Sequence, residues 1–293
     1  MIDNSLAVDE DKLICEMWST DLPRFKNESA TFEQVPNAKK VPQDRTAMYA
    51  WARVTNNPRP LASARSRALL LVQPTNPEIR QQVAFKVQGF VARQSLNLGT
   101  LGNWSGKLPE AGWARQTLNL VEGQYPEPFN AQYRALSRLI DYCKQHLPAD
   151  SWSTLHPKRL EMERPVFTKT SRRSTALPLS STDDPFGQAA KVNKLWVVTE
   201  RLQLGTQGKS SGKIVACDAS SIRAGDFVEV TCVLDMATKG FSHKKVAIRL
   251  WMTRVIQLAD RNNVRKVTTD DDLPTFNTMD DDFEWDKDDV EQL

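Results

Sequence analysis

Three histidines, His146, His156 and His243, are the only imidazoles in 293 residues. None stands at metal-ligand spacing from a second ligand, so neither a zinc centre nor a histidine base is expected. Cys15, Cys143, Cys217 and Cys232 lie far apart and form no C-x-x-C pair. Cys217 and Cys232 sit in apolar stretches and read as small core residues. Gly205-Thr206-Gln207-Gly208-Lys209-Ser210 approaches a phosphate loop, but Gln203 stands where that motif requires glycine, and a strand is expected where it requires a helix. The triplets Asp270-Asp271-Asp272 and Asp280-Asp281-Asp282 would need a rigid shell to hold a divalent cation, and their segment is too polar to build one. No catalytic signature is present, so no enzyme, no metal and no cofactor is expected.

A different constellation is more informative. Trp251 and Arg249 fall on the same side of an alternating run, and Phe227 is expected outward on a neighbouring one. Phe241, Lys244 and Lys245 occupy the turn before the Trp251 run, Trp196 begins the region, and Lys209 and Lys213 lie on a basic hairpin. Aromatic rings stack on unpaired bases while Lys and Arg neutralise the adjoining phosphates, each stacked base contributing about 1–3 kcal/mol. The competing reading of Trp251 is that it covers a second apolar layer, such as a helix over 130–147.

Charge supports the first reading. Residues 270–293 hold eleven carboxylates and one cation, Lys287, a net −10; with +3 for the whole chain, residues 1–269 carry +13. A basic body attracts polyanions, and a tethered acidic tail competes with them or recruits a partner. A structural protein that assembles on nucleic acid, such as a viral nucleocapsid or coat component, is the alternative with the same charge logic. The start, MIDNSLAVDEDK, lacks the apolar run of a signal peptide, and no stretch reaches the roughly 18–20 apolar residues of a membrane span. A soluble intracellular protein of cytoplasm or nucleus, with no membrane partner, is expected.

The elements that must position these residues divide the chain into five stretches. Residues 1–45 read as a polar, partly disordered arm, and 46–167 as a mixed α/β region packed on or beside a barrel. Within it, 83–91 fits both a strand and a helix stripe and is assigned to helix, with Asn76-Pro77-Glu78 as its start. The clearest helix is 130–147, where Tyr133, Leu136, Leu139, Ile140, Cys143 and Leu147 make one apolar face, with Asn130 as N-cap. Residues 168–190 are a Ser/Thr/Pro-rich linker or loop. Residues 191–269 are β-rich, with strands expected near 194–204, 213–218, 226–235 and 245–258. In the last of these Val246, Ile248, Leu250, Met252, Ile256 and Leu258 share a side that Arg254 interrupts. Residues 270–293 form the acidic, disordered tail. The fold class expected is α+β and β-rich: a small antiparallel barrel with helical additions and disordered termini.

The 194–258 stretch resembles the OB-fold barrel of single-stranded DNA-binding proteins. The residues that carry the likeness are Ala224-Gly225-Asp226-Phe227-Val228-Glu229-Val230, a turn entering a strand, and the Lys245–Leu258 run after a basic loop. Asp271-Asp272-Leu273-Pro274-Thr275-Phe276 is similar to the acidic tips of bacterial and phage-type members. It departs from them in Thr275 and in the seventeen residues that follow Phe276, among them a second acidic-aromatic block with Asp281, Asp282, Phe283 and Trp285. The resemblance implies binding of single-stranded DNA or RNA in replication or recombination. It also implies a tail whose Asp271, Asp272, Phe276, Asp281, Asp282, Phe283 and Trp285 serve as autoinhibitor and docking segment for replication or recombination proteins. A small homo-oligomer fits the same expectation.

Overall fold

The computed structural model describes residues 2–9, 12–22, 31–57, 66–72, 82–147, 149–152, 155–156, 158–170, 175–208, 213–239 and 245–265. In its first part these form β1 (Ile2–Asp9), β2 (Lys12–Leu13), α1 (Ile14–Asp21), β3 (Lys40–Val41), α2 (Arg45–Trp51), β4 (Ala52–Asn57), β5 (Ser66–Val72), β6 (Val83–Val91) and β7 (Arg115–Val121). There follow α3 (Pro126–Gln145), β8 (Ser151–Trp152), β9 (Leu160–Pro165), β10 (Thr168–Lys169) and α4 (Gln188–Val192). The last part holds β11 (Trp196–Val197), β12 (Gln203–Gln207), β13 (Ile214–Ala216), β14 (Phe227–Lys239), β15 (Lys245–Ala259) and α5 (Arg261–Arg265). The protein is thus α+β and strand-rich.

Five of the strands pair in a ring. β6 pairs with β7, β7 with β9, β9 with β15, β15 with β14, and β14 again with β6. Every contact is antiparallel except β9–β15, which is parallel. Three of the five therefore come from residues 83–165, so the strands of 191–269 do not close a ring by themselves. β5 and β4 continue the sheet from β14, β12 and β13 continue it from β15, and β1 lies parallel to the start of β6.

The main core is built from one face of the ring. Phe85, Val87, Leu118, Leu120, Leu160, Met162, Val228, Val230, Cys232, Leu250, Met252 and Val255 are all buried there. Cys232 Sγ lies 3.3 Å from Met162 Sδ of β9. α3 forms for the reason its spacing gives: Phe129, Leu136, Leu139, Ile140 and Cys143 line one buried face, and prolines occupy the first turn where no N–H is needed. It begins at Pro126, ahead of the Asn130 cap read from the sequence.

Residues 83–91 are a strand, not the expected helix. β6 is covered on both faces, so both periodicities were populated by apolar side chains. β7 reaches only Phe90 and Val91 of β6, and β1 only 83–85. In the gap, the buried side-chain amide of Gln132 on α3 stands in for a strand. Its Nε2 donates to Gln88 O at 2.9 Å and its Oε1 accepts from Gln88 N–H at 2.7 Å. The 1–45 stretch read as an arm also contributes packed elements. Leu6, Leu13, Ile14, Trp18 and Leu22 are buried, with the Trp18 ring 5.0 Å from Phe227 and 6.1 Å from Phe90. These residues are spread over short elements, each too brief to show a period. No described helix is long and apolar enough to cross a membrane.

Candidate nucleic-acid interface

β15 is the longest strand, and a bulge decides what its outer face presents. Thr231 pairs with Arg254 while Cys232 pairs with Met252, which leaves Thr253 as an extra residue. Its hydroxyl donates to Thr231 O at 3.1 Å. The bulge resets the alternation. Val255 turns into the core, and Arg254, which seemed to interrupt the apolar side, joins the face of Lys245, Arg249 and Trp251. Leu258 is a second extra residue, opposite the Phe227–Val228 step.

Cross-strand register extends this face. Trp251 lies opposite Val233, Arg249 opposite Asp235, and Arg254 opposite Thr231, which in turn lies opposite Lys86 of β6. On the other side of β15, Glu163 of β9 accepts from Arg249 Nη1 at 2.5 Å and sits 4.0 Å from Arg115 Nε of β7. Lys86 is 2.9 Å from the buried Glu229, whose other oxygen accepts from Gln88 Nε2 at 3.0 Å. Four cations, Lys86, Arg115, Arg249 and Arg254, thus share a face of the ring with the carboxylate Glu163 and the buried carboxylates Glu229 and Asp235. Glu163 pairs with both Arg249 and Arg115, and Arg115 Nη1 also donates to Gly112 O and Ala114 O.

The structure brings together Lys245, Arg249 and Trp251 of the residues expected at the interface. Phe227 is corrected: at 2% exposure it packs between Trp18 and Phe90 and presents no face for stacking. α1, unrecognised in the sequence, covers it. Trp196 is elsewhere, its ring 3.0 Å from where a Cβ on Gly112 would stand. Lys213 precedes β13, its carbonyl accepting from Gly208 N–H. Lys209, Phe241, Lys244 and the tail residues Asp271, Asp272, Phe276, Asp281, Asp282, Phe283 and Trp285 lie outside the described residues. Sequence reasoning missed Lys86, Arg115 and Arg254. Strand register would have found them, and register was not legible without β6 and the bulge.

Beside the ring, residues 101–114, 166–170 and 175–198 wrap a second, smaller apolar cluster around Ala111, Phe167, Val192 and Val198. This lobe grows from the ends of β7 and β9: Val166 N–H donates to Ala114 O at 3.0 Å, and Arg115 Nη1 to Gly112 O at 3.0 Å. Asp183 ties it down. Hydrogen bonds from the Thr100 hydroxyl and from Ser180, with Arg201 alongside, hold its carboxyl down at about 2.

All four thiols are held above the ordinary cysteine range, Cys217 by burial and the neighbouring Asp218. Burial pushes Cys15 up to about 11 and Cys143 up to about 12, and raises Cys232 further. Among the described residues no three His, Cys, Asp or Glu side chains are grouped to hold a metal ion.

No protein-family profile and no curated protein matches this sequence. Two solved structures are similar over part of the chain. One is the single-stranded DNA-binding protein from bacteriophage Enc34, with 10% identity and a TM-score of 0.28 over 70% of this chain and 90% of that one. The other is gp2.5, a single-stranded DNA-binding protein encoded by bacteriophage T7, with 10% identity and a TM-score of 0.31 over 60% of this chain and 91% of that one.

Proposed function

We propose that the chain is a non-catalytic single-stranded nucleic-acid-binding protein, with DNA as its ligand, built on an OB-like barrel. One observation carries this reading: strand register puts Arg249, Trp251 and Arg254 on the outer face of a five-strand ring, the aromatic residue between two arginines along the strand. Five strands in a Greek-key barrel are the OB architecture, and the face of its second and third strands is where such barrels take oligonucleotides. On this reading those strands correspond to β7 and β9, which supply Arg115 and Glu163.

Binding is electrostatic first. Phosphates are drawn to the +13 body and settle on the guanidiniums, while a base stacks on Trp251. In the free protein the −10 tail competes for the same cations, its tether giving it a local concentration on the order of millimolar. Nucleic acid displaces it and frees Phe276, Phe283 and Trp285 to dock a replication or recombination protein.

The test is fluorescence anisotropy with labelled oligo-dT and a matched duplex across a salt series, on the full chain and on a chain ending at Thr269. Tight single-strand binding, weak duplex binding and a tighter complex without the tail are expected. If neither form binds, the function is wrong. If Trp251→Ala with Arg249→Ala binds as the wild type does, the surface is wrong.

A further inference from the structure

The lobe beside the ring carries aromatic surface that its own packing does not use. Trp113 is 55% exposed, Phe186 79% and Leu195 50%. Each stands close in sequence to members of the same small cluster: Trp113 ends the 3-10 turn Leu108–Trp113 that holds Ala111, Phe186 precedes α4 with its Ala189 and Val192, and Leu195 adjoins Trp196. Exposed cations accompany them. Lys169, Lys191 and Lys194 are exposed, and no carboxylate among the described residues is in ion-pair reach of any of the three. Burial of the rings alone would suit an apolar partner. Exposed rings on the same lobe as exposed cations that no described carboxylate pairs suit a ligand with both π-faces and negative charge.

The lobe is also continuous with the proposed interface. Trp113 is two residues from Arg115, Arg115 shares Glu163 with Arg249, and Arg249 neighbours Trp251 on β15. We propose that the lobe is a second single-strand contact. The nucleic acid leaves the ring at Arg115 and continues over Trp113 and Phe186, with Lys169, Lys191 and Lys194 along its phosphates. This rests on the function proposed above and extends its footprint to Lys169 and Phe186, in the stretch read from sequence as a linker or loop, and to residues on either side of it.

The experiment uses the full chain. Oligo-dT carrying 5-iodouracil is photo-crosslinked to the wild type and the attachment sites are mapped by mass spectrometry. In parallel, oligo-dT affinity is measured for Trp113→Ala with Phe186→Ala, and for Lys191→Glu with Lys194→Glu. Crosslinks at Trp113 or Phe186, and binding weakened about tenfold or more in the aromatic pair, are expected. The charge-reversed pair should weaken too. All four residues are exposed, so unchanged thermal melting checks that the variants fold.

Wild-type binding with no lobe crosslink and unaltered affinity in both pairs overturns the proposal and leaves the ring interface standing. Tighter binding by either pair also overturns it, because the lobe would then be holding the acidic tail. No binding by the wild type sinks the underlying function, and this extension with it.

Discussion

Phe227 and Trp251 sit on neighbouring strands, and each alternates away from the core residues of its own strand. What separates them is what lies above. Trp18 of α1 closes over Phe227, whereas Trp251, between Arg249 and Arg254 on the same face of β15, stays half-buried. Alternation reports which side of a strand a residue takes, and cannot report whether a distant segment covers that side. Arg254 shows the complementary failure. Its charge looked misplaced in an apolar stripe, and one extra residue at Thr253 removes the conflict. Loss of a buried phenyl ring typically costs about 3–5 kcal/mol. Phe227→Ala should therefore lower stability by that amount in urea unfolding. Trp251→Ala should change stability by less than about 1 kcal/mol, yet weaken single-strand binding by about fivefold or more. Equal stability losses in the two variants would place Trp251 in the core.

At the scale of elements, α3 and β15 were legible because each has one wetter face and one dry one, and β14 because its sides differ in residue type, Val228, Val230, Cys232 and Leu234 against Glu229, Thr231 and Asp235, although both sides are buried. β6 was not, since a strand dry on both sides carries no alternation. α1 and β1 were not, since each adds only a few apolar residues to a core assembled mainly elsewhere. Nor was the Gln132 contact, which joins positions 44 residues apart. That contact has a definite energetic role. Gln132 is fully buried and satisfies a donor and an acceptor of β6 that no strand reaches. Gln132→Leu keeps the volume and leaves both groups unpaired, at about 1–3 kcal/mol each. A loss of about 2 kcal/mol or more is expected in denaturant unfolding, together with faster hydrogen exchange at the Gln88 amide. Unchanged exchange there would mean that the amide has another acceptor.

The whole molecule is best described by its two opposed charges, and these were readable from where the charged residues stand in the sequence, behind a total of only +3. The ring of strands was only half readable, because the sequence located the β14 and β15 members and misassigned β6. The opposed charges lead to a thermodynamic signature that contacts cannot give. When a bare cationic surface binds single-stranded DNA, the counterions condensed on the DNA are released, and log K falls with log salt by about 0.7 per phosphate neutralised. If the surface is already covered by the −10 tail, the same cations exchange carboxylates for phosphates. Added salt then weakens the competitor as well as the complex. The full chain should therefore bind oligo-dT more weakly than a chain ending at Thr269 in low salt, and with a shallower salt slope. The two lines should converge as salt rises and screening dissolves the intramolecular contact. Anisotropy titrations from about 50 to 500 mM salt resolve this. Parallel lines separated by a constant offset would show a tail that acts without occupying the cations, and would remove competition as its mode of action.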